Sequence, residues 1–255
     1  MSLIQCEKIT VNIANKNVCT DLDLTIETGQ VWGILGRNGV GKTTLLHTLA
    51  GLRSADSGQI LLNQINIKNI SRKKIAQTMG LLLQQNEESF PSSVIDTVLT
   101  GRHPHIDNWS WESSKDLQIA NKALETVQML DMANRSVDQL SGGEKQRVAI
   151  ASLIAQSPQL YLLDEPNSHL DLKHQMQLLE YFSHLAKNSH TSTIMTLHDI
   201  NLARQYCTHL ILIFGDGKVL SGTIKELLNE KTLSELYQYP LHKIETEFGA
   251  LFVSK

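Results

Sequence analysis

Gly36-Arg-Asn-Gly-Val-Gly41-Lys42-Thr43 leaves this chain few ways to fold. It follows the apolar run Val31–Leu35 and leads into Lys42-Thr-Thr-Leu-Leu-His-Thr-Leu-Ala50, which reads as a helix. A strand, then G-x-x-x-x-G-K-[ST], then a helix is the context of a phosphate-binding loop, or P-loop. Each part has a physical role. Gly36, Gly39 and Gly41, with Asn38 among them, let backbone N–H groups wrap phosphates. The helix N-terminus adds positive potential. Lys42 is expected to reach the β- and γ-phosphates and the Thr43 hydroxyl to ligate magnesium, with Thr44 beside it at the nucleotide.

A P-loop needs a parallel sheet to stand on. The apolar runs Leu160–Leu163, Thr193–Leu197 and Leu210–Phe214 supply further strands of the buried kind. Ile60–Ile67, set off by Asp56-Ser-Gly58, reads as antiparallel structure in the N-terminal third. Between Gln85 and Pro158 the pattern turns helical: Leu117, Ala120, Leu124, Val127 and Leu130 recur at helical spacing, with Ser113 or Ser114 as N-cap.

Composition limits the rest. The chain has 255 residues, 41% of them hydrophobic and 19% charged, as in an ordinary globular protein. Lys and Arg number 23 against 26 Asp and Glu, a net charge of −3, so no nucleic-acid partner is expected. No run approaches the roughly 18 apolar residues of a membrane span. The first residues lack the layout of a signal peptide, and Cys6, Cys19 and Cys207 are too scattered for a disulfide framework or zinc site. A cytoplasmic chain is expected, with any membrane role exercised through partners.

Leu160-Tyr-Leu-Leu163-Asp164-Glu165 ends a strand in two carboxylates. Beside a P-loop, Asp164 is expected to hold magnesium through its water, and Glu165 to orient and activate the water that attacks the γ-phosphate.

Leu140-Ser-Gly-Gly-Glu144-Lys-Gln146-Arg147 separates this chain from other P-loop enzymes. Here it resembles the ATP-binding subunits of ABC transporters, over nearly its whole length. The resemblance implies an α/β fold: a P-loop NTPase (RecA-like) core, an N-terminal antiparallel β subdomain and an inserted α-helical signature subdomain. It implies one cassette over 1–255. The core and β subdomain take 1–84 and 158–230, the helical subdomain 85–157 and a C-terminal extension 231–255. It assigns Ser141, Gly142 and Gly143 to the γ-phosphate of ATP held by a second copy's P-loop. Asp171, in Pro166-Asn-Ser-His-Leu-Asp171, becomes the D-loop acidic residue, and His198 the switch histidine on the γ-phosphate. Gln84 becomes the Q-loop glutamine that joins magnesium and attacking water to the helical subdomain, with Gln85 the alternative one position on. ATP and Mg2+ are the implied ligands.

The chain departs from the family where Leu83 replaces a frequent proline and Asn167 a frequent threonine. It also departs at Ile13, which stands where an aromatic commonly stacks on adenine. No aromatic lies between Met1 and Val31 to substitute for it. Gly101-Arg-His-Pro-His105 and the tail Leu227–Tyr237 are similar to importers of iron-siderophore, haem and cobalamin-type compounds. The implied function is an ATP-hydrolysing motor that dimerises around ATP and drives import. Its partners would be a second copy, integral membrane permease subunits and, indirectly, a substrate-binding protein, at the inner face of the cell membrane. An exporter subunit and a soluble ATPase acting on nucleic acid or ribosomes are the alternatives.

Overall fold

Val31–Leu35 is a strand in which every residue is buried. It belongs to a computed structural model that describes residues 2–14, 16–83, 92–107, 110–247 and 249–254. The chain opens with β1 (Ser2–Ile13), β2 (Lys16–Glu27) and β3 (Val31–Leu35), then α1 (Lys42–Leu49), β4 (Ser57–Leu62) and β5 (Ile65–Asn66). It continues with α2 (Arg72–Thr78), β6 (Met79–Leu82), α3 (Val94–Leu99), α4 (Ser114–Thr126), α5 (Gly142–Gln156) and β7 (Leu160–Leu163). Next come α6 (Leu172–Asn188), β8 (Ser192–Thr196), α7 (Ile200–Tyr206), β9 (His209–Ile213) and β10 (Val219–Thr223). The chain ends with α8 (Ile224–Leu227), α9 (Glu230–Tyr237), β11 (Leu241–Thr246) and β12 (Gly249–Ser254). It divides into two units, Met1–Ile70 with Glu180–Lys255, and Ser71–Leu179.

In the first unit, β2-β1-β4-β5 form an antiparallel sheet. Leu22, Leu24 and Ile26 of β2 are buried while Asp21, Asp23 and Thr25 between them are exposed. That period of two marks a strand with one face in the core. A second sheet has β3 parallel to both β8 and β9, with β10 antiparallel on β9. β3 and β8 are wholly buried, which explains their unbroken apolar sequences. α9 and the β11–β12 hairpin close this unit.

In the second unit, β6 and β7 pair in parallel. Here α3, α4 and α5 pack Val94, Val98, Ala120, Leu124, Val148 and Ala151 into one core. Ser113 caps α4 through a capping box with Asp116. The helical face read from the sequence holds only in part. α4 ends at Thr126, and Gln128 takes φ +56. Leu130 therefore falls on a 3-10 turn and is exposed, as is Leu117, whereas Ala120 and Leu124 are buried.

Candidate functional site

The P-loop lies in the first unit between β3 and α1. Gly41 caps α1 with φ +106, and a Cβ built there would stand 2.5 Å from Val18 Cγ2. No other residue fits that turn. Lys42 is buried, and its Nζ donates to Gly36 O at 2.9 Å and Arg37 O at 3.2 Å. The ammonium thus binds the two carbonyls that open the loop. Asn38 and Gly39 are exposed at its crest, where Gly39 O accepts from Lys16 Nζ at 3.4 Å. Thr43 and Thr44 are half-buried in the first turn of α1. Ile13 ends β1 opposite Lys16 and is 40% exposed.

His198 stands two residues past β8 and is exposed. Asp199 follows as the N-cap of α7, its Oδ1 accepting from Asn201 N at 2.7 Å and Leu202 N at 3.2 Å. Cap and strand end together fix the backbone on both sides of the histidine.

The second unit carries the signature and the carboxylates. Ser141 is the N-cap of α5: Glu144 N donates to its Oγ at 3.3 Å, and Ser141 N and Oγ each donate to Glu144 Oε2 at 2.8 Å. These bonds, the backbone N–H first, hold the Glu144 carboxyl below its usual range. A Cβ built on Gly142 meets nothing within 4 Å, whereas one on Gly143 would stand 2.8 Å from His169 O. Packing within the chain accounts for the second glycine and leaves the first open to an approaching group.

Asp164 follows β7 and is buried, its N–H donating to Leu82 O at 3.0 Å. Glu165 has φ +48, an uncommon backbone for a residue that is not glycine. Ser168 holds the turn, its N and Oγ donating to Glu165 O at 3.0 and 2.8 Å. The turn thus holds Glu165 in a left-handed conformation directly after the end of β7.

The buried Gln146 of α5 donates to Pro166 O at 3.3 Å, which ties the signature helix to the turn after β7. Asp171 Oδ1 accepts from His174 N at 2.9 Å and lies 2.8 Å from His174 Nδ1. The backbone N–H is the first cause of the lowering of the Asp171 carboxyl. Arg147 Nη1 reaches His174 Nε2 at 3.4 Å and Val127 O at 3.3 Å. The sequence alone gives Gln146, Arg147 and His174 no role. Gln146 and Arg147 carry a signal as polar side chains one turn into the signature helix, whereas His174, in the first turn of α6, carries none. Gln84 and Gln85 lie outside the described residues.

The ABC transporter family pattern matches residues 19–168. The iron(3+)-hydroxamate import ATP-binding protein FhuC of Bacillus subtilis (strain 168) is 32% identical, over 93% of this chain and 88% of its own. The ferric enterobactin transport ATP-binding protein FepC of Escherichia coli (strain K12) is 34% identical, over 91% and 85%. Among solved structures, a transporter described as metal-chelate type, in an inward-facing conformation, superposes with a TM-score of 0.87 at 28% identity. That match covers 100% of this chain and 97% of the other. With its fold, motifs and relatives in agreement, this chain belongs to the ABC transporter family as one of its ATP-hydrolysing, ATP-binding subunits.

Proposed function

We propose that this subunit powers the import of an iron-chelate compound of the siderophore type. The observation that carries the reading is the run of relatives with that role. FhuC and FepC are joined by the probable siderophore transport system ATP-binding protein YusV of Bacillus subtilis (strain 168), 36% identical over 89% of this chain and 83% of its own. Among the described residues no helix is long and apolar enough to cross a membrane. In this reading the transport path belongs to integral permease subunits, which hold this motor at the inner face of the membrane. A substrate-binding protein delivers the cargo to them.

Two copies close on two ATP molecules. The P-loop residues Gly36, Asn38, Gly39, Gly41, Lys42, Thr43 and Thr44 take the phosphates. Ser141, Gly142 and Gly143 of the second copy meet the γ-phosphate, with Asp171 at the interface. The open space over Gly142 supports that role. The Thr43 hydroxyl, the Asp164 carboxylate and the Gln84 amide would hold Mg2+, as each offers the hard oxygen donor that this ion takes. When bound, the ion neutralises charge on the phosphates. Glu165 accepts a proton from the attacking water, and His198 holds the γ-phosphate oxygens as they gain charge. The closed dimer is favoured because ATP bridges both copies only in that state.

Glu165→Gln removes the proton acceptor and keeps the shape. It is expected to lower turnover by about a hundredfold or more and to trap an ATP-dependent dimer on size-exclusion chromatography. A strictly monomeric variant at saturating MgATP refutes the sandwich. Capture of the chain from membranes with an iron-chelate permease tests the cargo, and co-purification with an exporter permease refutes it.

A further inference from the structure

The C-terminal segment reaches the nucleotide site at two separate places. Gln238, which ends α9, accepts from Arg37 Nη1 at 2.6 Å through its Oε1. Arg37 is a P-loop residue, and its carbonyl receives the Lys42 ammonium at 3.2 Å. At the second place, Asn201 is bonded twice to the backbone of β12: its Nδ2 donates to Phe252 O at 3.2 Å, and Phe252 N donates to its Oδ1 at 2.9 Å. Asn201 lies in the first turn of α7, three residues after His198. The Tyr237 hydroxyl is buried close to Asp199; burial first, and then the Asp199 charge, pushes it up to about 12.

The segment is itself well anchored. Leu233 and Leu236 of α9 and Phe252 of β12 are buried. Leu241 N donates to Ser234 Oγ at 3.0 Å and Lys243 N to Glu230 Oε1 at 2.6 Å, which fastens the hairpin to α9. α7, by contrast, has seven residues. A helix that short does not hold its own position, so tertiary bonds decide where its first turn sits. Asn201 supplies two of them, on the turn that follows the switch histidine.

We propose that residues 229–247 and 249–254 are a positioning strap for ATP hydrolysis, in which Gln238 fixes the P-loop carbonyl that receives Lys42 and Asn201, gripped by Phe252, fixes the stretch that carries His198. The strap rests on the assignment of Lys42 and His198 to the phosphate site. Gln238 and Asn201 are positioning residues and touch no substrate.

The test uses the full chain, with radiolabelled ATP and phosphate release across an ATP series. Asn201→Ala is expected to lower kcat about tenfold with KM for MgATP within about twofold, because misplacement of a catalytic group by less than 1 Å costs that much. Gln238→Ala is expected to raise KM several-fold. Asn201→Asp keeps the acceptor for Phe252 N–H and should fall between wild type and Asn201→Ala. In a His198→Ala background, Asn201→Ala should cost no further turnover, since its effect passes through the histidine. Wild-type kcat in Asn201→Ala overturns the strap, as does a full tenfold loss in the His198→Ala background, which only general damage produces. Wild-type turnover in His198→Ala alone refutes the site assignment, and the strap with it.

Discussion

Arg102, in the Gly101-Arg-His-Pro-His105 stretch, is 8% exposed. Its Nε donates to Asp116 Oδ1 at 3.0 Å and its Nη1 to Ala155 O at 2.6 Å, joining the N-terminus of α4 to the last turn of α5. Beside it, a Cβ built on Gly101 would stand 2.1 Å from Ser152 O, so the segment lies directly against α5. Arg102→Ala removes two charge-assisted bonds and leaves Ala155 O without that donor. Breaking a buried pair costs about 3–5 kcal/mol. Asp116 keeps its bonds from Ser113 N and Oγ, so the expected loss is smaller, about 2–4 kcal/mol. Arg102→Lys should recover less than half, because one ammonium does not replace a two-pronged guanidinium. Urea unfolding at pH 7 measures both. The pH dependence is fixed in sign. The Asp116 carboxyl lies at about 2, lowered first by the Ser113 hydroxyl, then by the Ser113 N–H and then by Arg102. Its contribution is therefore complete above the unfolded carboxylate value of about 3.9 and lost as pH falls through about 2. The gap between wild type and Arg102→Ala should be flat above about pH 5 and narrow below about pH 4. A loss under about 1 kcal/mol, or full recovery by lysine, refutes the reasoning.

Two further outcomes are expected. Ile13 offers adenine no aromatic face, and such stacking contributes about 1–3 kcal/mol per base in nucleic-acid sites. ATP and GTP should then bind within about tenfold of each other by calorimetric titration, and a strong ATP preference counts against this. Cys6, Cys19 and Cys207 are buried, and burial is the first cause that raises each thiol, to about 11 for Cys19 and about 12 for Cys207. None should react with iodoacetamide at pH 8 until the chain unfolds, and rapid native labelling would refute that.

The parts of this molecule legible in its sequence are those whose physics is local. Leu160–Leu163 is a strand with the limits its apolar run suggests, because a wholly buried strand has no polar residue to blur its ends. Ser113 and Ser141 cap helices because each is followed three residues later by a carboxylate that returns the hydrogen bond. β6 was harder to read: Gly80 interrupts a run of four residues. The role of Arg102 was not legible at all, since its partners lie 14 and 53 positions along the chain. The same holds for Gln238, 201 positions from Arg37, where a glutamine at a helix end carries no local signal.

Ser141-Gly-Gly has an ordinary explanation as a helix cap and a functional one as a phosphate contact, and the geometry makes them compatible. The capping box uses the Ser141 hydroxyl and the Glu144 N–H. Lys145 N already closes the first turn on Ser141 O at 2.9 Å. The amides of Gly142 and Gly143 lie in that first turn, where a helix offers no carbonyl four residues back. They point out of the N-terminus and add to its positive end. A side chain at position 142 would meet nothing in its own chain, so the glycine there gains nothing in packing. A glycine there leaves those two amides uncovered, as the proposed phosphate contact requires.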